Sequence, residues 1–147
     1  MDAKEFLLQY CKAARAKRYG IERKKAELEA LLDVLSLAGV DYSKDRVQTS
    51  PTDKIATIIA KAVDFEESIS EDIIELERGR EEVMKVINRM PSEELKLILT
   101  LRYVVNQRWE DVGKAMNYSE RALFRKKTEA FKELEAVLNE KLAAFGS

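Results

Sequence analysis

Residues Trp109 to Leu134 read WEDVGKAMNYSERALFRKKTEAFKEL. Val112 and Met116 stand four apart on one face of a first helix, Tyr118 falls in a tight turn, and Leu123 opens the inner face of a second helix. This is the spacing of a helix-turn-helix. Gly113 lies where the two helices cross most closely, and a residue without a side chain lets their backbones approach. Asn117 occupies the turn position that needs positive φ, which Asn tolerates better than most residues. Ser119 then caps the second helix. Ala130, Phe131 and Leu134 continue its inner face, whereas Lys126 puts a charge at a site where an apolar residue is expected.

The other face of that second helix carries Glu120, Arg121, Phe124, Arg125 and Lys126, with Lys127, Thr128 and Lys132 further along. In the major groove the first residues of such a helix face base edges, where Arg binds guanine O6 and N7 bidentately and flanking Lys residues neutralise phosphates. Arg121 and Arg125, four apart, share one face and are the expected base readers. Lys126, Lys127 and Lys132 are the expected backbone contacts, with Thr128 in reach of a phosphate. The plainer alternative is a solvated helix face, since Glu129, Glu133 and Glu135 partly neutralise the cluster. Trp109 and Tyr118 read as anchors of the core rather than as ligand stackers.

Outward from this stretch, Pro91 and Ser92 open a short helix with Glu93 and Glu94 in its first turn. Leu95, Ile98, Leu99, Leu101, Arg102 and Val105 form its expected buried side, and Asn106 to Arg108 the break after it. From Ser119 a long last helix runs without Gly or Pro to about Phe145.

The first ninety residues are built differently. Leu7, Cys11, Ala14, Arg18, Ile21, Lys25, Leu28, Leu32 and Leu35 step 4-3-4-3, a heptad seam with two basic interruptions. After a loop over 39–52, in which Gly39 ends the first helix and Thr52 or Asp53 caps the next, a second seam follows. It comprises Ile59, Ala62, Glu66, Ile69, Ile73, Leu76, Arg80, Val83, Ile87 and Met90. Folded back antiparallel, with paired numbers summing to about 91, the seams set Leu32 by Ile59, Leu28 by Ala62, Ile21 by Ile69 and Lys25 by Glu66. A parallel dimer of the second helix would instead stack Glu66 on Glu66 and Arg80 on Arg80, so the hairpin is favoured. Apolar residues outside the seams (Leu8, Tyr10, Tyr19, Leu31, Val34, Ile58, Ile74) point to a homo-oligomer, with a dimer favoured. The expected architecture is therefore all-α: a coiled-coil-like hairpin over 1–90, for oligomerisation or partner docking, and a DNA-binding helix-turn-helix domain over 91–147.

Composition narrows the function. The chain of 147 residues has no His, which removes imidazole metal sites, Ser/His/Asp triads and His acid–base catalysis together. Its single Cys11 has no base in view and reads as a small buried thiol, and no carboxylate pair marks an acid and a base. The expectation is a protein that is not an enzyme, with no cofactor, metal or catalytic residue. Charged residues reach 36%, well above the roughly 25% of an ordinary domain, as long helices with solvated faces require. The net charge of −1 is uneven: residues 1–25 carry eight Lys/Arg against three Asp/Glu, residues 26–90 eight against fifteen, and residues 91–147 ten against nine. The two ends, not the middle, can face an anion. No apolar run approaches the roughly 18 residues of a spanning helix, and the first twenty residues are too charged for a secretory signal. These features predict no membrane partner and a cytoplasmic location.

The run LRYVVNQRWEDVGKAMNYSERALFRKKTEAFKEL, Leu101 to Leu134, resembles the helix-turn-helix of region four of bacterial primary sigma factors. The whole length, with the loop DRVQTSP (Asp45 to Pro51), is more similar to the ArpU-like and RinA-like late transcription regulators of phages and prophages of Gram-positive bacteria. The resemblance implies a regulator of phage or prophage genes that binds double-stranded DNA in the bacterial host cell. Its sigma-like part implies RNA polymerase as a further partner. In related sequences the site of Lys126 is commonly apolar, a departure that bears on how this helix packs. The alternative is a protein–protein interaction or assembly module, or a DNA-packaging protein like the small terminase subunits, which would form a ring of many subunits.

Overall fold

The structure, a computed structural model, describes residues 2–45 and 53–146, with side chains over 2–43 and 53–140. Thr52 and the loop DRVQTSP beyond Asp45 lie outside the described residues. Every regular element described is helical, so the fold is all-α: α1 (Ala3–Leu37), α2 (Tyr42–Asp45), α3 (Asp53–Ile87), α4 (Glu93–Leu99), a π-helical turn (Thr100–Val104), α5 (Trp109–Met116) and α6 (Glu120–Gly146). No helix among the described residues is long and apolar enough to cross a membrane.

Local chemistry explains the helix ends. Gly39 has φ +74°, and it closes α1 with the paired bonds of a Schellman motif, Val40 N–H to the Leu35 carbonyl and Gly39 N–H to the Ser36 carbonyl. At the head of α4 the Ser92 hydroxyl accepts from Leu95 N–H, satisfying one of the first turn's orphan donors. The Ser92 N–H in turn donates to Glu133 of α6 at 2.9 Å, tying the two helices together.

The chain forms two compact units, Arg15–Glu77 and Met1–Ala14 with Arg78–Ser147. In the first, the α1 and α3 segments bury Ile21, Leu35, Ile59, Ala62 and Ile69. Lys17 pairs with Glu75 at 2.6 Å and Lys24 with Asp72 at 2.6 Å, while Lys24 also donates to Ser68. Partner numbers fall as α1 numbers rise, so the two segments run antiparallel. The hydrogen bond from Lys24, followed by the charges of Lys24 and Lys17, holds the Asp72 carboxyl below its ordinary range despite some desolvation. Lys25 stands 3.7 Å from Glu22 on its own helix. Among the apolar seam positions of this unit, Ile73 departs from expectation at 48% exposed.

The second unit has the larger core. Ala3 and Leu7 of α1, Val83, Val86 and Ile87 at the end of α3, and Met90 just beyond it are buried with Leu95, Ile98 and Leu99 of α4. Tyr103, Val112, Ala130, Leu134, Val137 and Leu138 complete the cluster. Tyr103 meets Trp109 edge to face at 6.0 Å, and the Cys11 thiol donates to the Tyr103 carbonyl. Val105, expected on the buried side of α4, is 55% exposed. The Thr100 hydroxyl bonds the Lys96 carbonyl, and Val105 N–H reaches back five residues to the Thr100 carbonyl. That wider turn rotates Val105 off the face that a pitch of 3.6 residues predicts. Asn106, at φ +67°, then ends the segment.

Candidate nucleic-acid interface

Helix α5 ends on Asn117 at φ +58°, ψ +40°, a left-handed conformation that Asn accepts more readily than most residues and that stops the helix there. Tyr118 N–H bonds the Gly113 carbonyl at 2.9 Å and Asn117 N–H the Lys114 carbonyl, a second Schellman closure. The Ser119 hydroxyl accepts from Ala122 N–H and caps α6. A β-carbon added at Gly113 would lie 3.3 Å from Leu123 Cδ2, so the residue marks a tight approach of α5 to α6. Ala130 and Leu134 are buried, and Leu123 and Phe131 pack partly buried against the same core, which orients α6.

This packing sorts the eight expected contact residues. Glu120, Arg121, Phe124, Arg125, Thr128 and Lys132 are exposed. Phe124 is 71% exposed, a large aromatic ring in water between two guanidinium side chains. Neither Arg121 nor Arg125 makes an ion pair among the described residues. The Thr128 hydroxyl already donates to the Phe124 carbonyl one turn back. The remaining two residues are engaged with neighbours.

Lys126 turns toward α4, not outward. Its ammonium lies 2.9 Å from Glu94 and 3.7 Å from Glu129, and the Tyr118 hydroxyl donates to the same Glu94 carboxylate. The apolar site is thus filled by a lysine whose charge is met. Tyr118 and then Lys126 hold the Glu94 carboxyl below its ordinary value of 4.5, and the Glu94 hydrogen bond raises Lys126. A depressed carboxyl contributes stability that is complete above its unfolded value and is lost as pH falls through its folded value. Glu94→Gln is therefore less stable than the parent at neutral pH, and the gap closes on acidification below about pH 4.5. Denaturant unfolding of both chains from pH 7 to pH 3 checks this; a gap independent of pH would count against it.

Lys127 is drawn to Trp109, with its ammonium 4.5 Å from the ring centroid. Arg102 lies against the same indole at 5.6 Å and against Tyr103 at 5.5 Å, and its Nη1 donates to the Gln107 carbonyl. Burial, then the charges of Lys4 and Arg102, push the Lys127 ammonium below the ordinary lysine value. Sequence alone places Trp109 in the core and does not join Lys4 or Arg102 to the cluster. Lys4 is about a hundred residues away in the chain, and only the packing of α1 into this unit brings it near. Among the described residues no group of three or more His, Cys, Asp or Glu is placed to hold a metal ion.

A family model described as "Protein of unknown function (DUF1492)" matches residues 34–135. The chain belongs to this family. The matched range takes in α3, α4, α5 and the first sixteen residues of α6, hence the turn and all eight candidate residues. No curated protein matches the chain, and no solved structure does.

Proposed function

We propose that the chain is a sequence-specific DNA-binding transcription regulator in which α5, the Asn117 turn and α6 act as a helix-turn-helix. The observation that carries this reading is the exposed Arg121–Phe124–Arg125 face at the start of α6, which makes no ion pair among the described residues and is presented by a capped turn. Arg121 and Arg125 read guanine edges, Phe124 meets a thymine methyl, and Lys132 and Lys127 neutralise phosphates. No catalytic step or cofactor enters. The resemblance to ArpU-like and RinA-like proteins extends the reading to late genes of phages or prophages, with RNA polymerase as a partner in the cytoplasm of the bacterial host.

Exposed Tyr19, Val34, Leu37, Ile73 and Ile74 of the unit Arg15–Glu77 support a homo-oligomer, a dimer on this reading. A dimer sets two recognition helices on half-sites about one helical turn apart or a multiple of it. The same exposed side chains favour the second reading, an assembly module or packaging protein, for which light scattering would report a ring of many subunits.

The test is selection from a random duplex library with the full chain at moderate salt, followed by sequencing. Enrichment of a motif, with symmetry matching the oligomer, is the expected result. Retention without enrichment, or none at low salt, overturns the reading.

A further inference from the structure

Lys127, Arg102 and Lys4 come from three separate helical segments, α6, the π-helical turn and the first turn of α1. Two of the three lie against one indole: Lys127 at 4.5 Å and Arg102 at 5.6 Å from the Trp109 centroid. An aromatic face attracts a cation, but it does not neutralise two of them. Three carboxylates of the neighbouring segments have partners of their own. Asp111 stands 3.5 Å from Arg108, Glu5 accepts from Gln9, and Glu94 takes Tyr118 and Lys126. Arg102 Nε is buried without a hydrogen-bond partner, as is Gln107 Oε1. Such orphaned atoms in a native fold call for an explanation, and here one of them belongs to a guanidinium that is already crowded by like charge. The burial and like charges that disfavour the Lys127 ammonium are what a bound anion would relieve.

We infer that Arg102 and Lys127, gathered on Trp109, form a binding site for one phosphodiester of the DNA backbone together with Lys4, whose neighbour Ala3 is buried in the core that Trp109 packs against. The inference rests on the reading of α6 as a recognition helix and adds to it a contact from the first turn of α1. Arg102 is the fixed element, stacked and hydrogen-bonded, whereas Lys4 is exposed and supplies charge from the far end of the chain. A phosphodiester fits better than a deeply enclosed small anion, because Lys4 faces water and the site adjoins the exposed face of α6. The site sets position, not sequence: it fixes how far α6 enters the groove and carries no information about the bases.

Lys4→Gln is the discriminating variant, since Lys4 is exposed and outside the helix-turn-helix. Full-length parent and variant are titrated with the selected duplex and a scrambled duplex across 50–200 mM salt. The expected result is equal weakening on both duplexes and a log K against log salt slope shallower by up to about 1, with Lys4→Arg restoring it. A series of selected duplexes, each with one neutral methylphosphonate, should contain one position that weakens the parent and leaves Lys4→Gln unaffected. An unchanged slope together with no such position overturns the site and leaves the recognition reading standing. Weakening confined to the selected duplex also overturns it, because that is base reading. If DNA binding is unchanged in Lys4→Gln while inorganic phosphate protects the parent from thermal unfolding and not the variant, the occupant is a free anion and the assignment to DNA fails. If the parent retains neither duplex, the recognition reading itself falls, and the DNA site falls with it.

Discussion

Replacing Arg121 and Arg125 together by alanine lowers affinity for the selected duplex by about 2–6 kcal/mol, from roughly thirtyfold upward, and leaves affinity for scrambled DNA much less changed. Each bidentate contact to a guanine edge is worth about 1–3 kcal/mol of discrimination, and among the described residues neither side chain makes an ion pair that would soften its loss. Both are exposed, so the free energy of unfolding should change by no more than about 0.5 kcal/mol. This separation is what makes the result interpretable. A double variant that binds both duplexes like the parent removes the assignment of α6. One that loses both equally demotes the arginines to backbone contacts. Phe124→Ala supplies an independent check on the same face: it should weaken the selected duplex and abolish the parent's preference for thymine over uracil at one position, since only the methyl group differs.

The parts of this interface that sequence reveals are those whose chemistry is local. Asn117 is readable because few residues accept positive φ, Gly113 because a close approach excludes a side chain, and Ser92 and Ser119 because a hydroxyl at a helix start meets an orphan N–H. The antiparallel sense of α1 and α3 follows from matching seams, and Lys17 and Lys24 reach across to Asp72 and Glu75. What sequence leaves hidden depends on distant partners or on departures from ideal pitch. Lys126 reads as either a misplaced core residue or a phosphate contact until Glu94 of α4 is seen 2.9 Å away. Val105 reads as buried until the π-helical turn rotates it outward, because a pattern of 3.6 residues carries no sign of an inserted residue. The grouping of Lys4 with Arg102 and Lys127 needs a tertiary structure outright.

The same dependence on distant packing governs stability, and Leu7→Ala should expose it. Leu7 has no exposed surface and belongs to the cluster that also contains Ile98, Leu99, Val112 and Leu134. Truncating a fully buried leucine costs about 2–5 kcal/mol, through lost apolar burial and the cavity left behind, against a total of about 5–15 kcal/mol for a domain. The neighbouring Leu8 is 47% exposed, so Leu8→Ala serves as the matched control and should cost far less. Denaturant unfolding followed by Trp109 fluorescence reads the effect where it matters, because the indole packs against Tyr103 in that core. A large shift for Leu7→Ala and a small one for Leu8→Ala mean that the start of α1 helps to hold α6 in place. Equal shifts would mean that the C-terminal helices are stable without it. On the first outcome, duplex affinity should fall with the folded fraction as temperature rises, although the buried Leu7 side chain is itself out of reach of DNA. That loss would be recovered at lower temperature, whereas the loss in the Arg121/Arg125 double variant would not, and the two mechanisms are thereby told apart in one titration series.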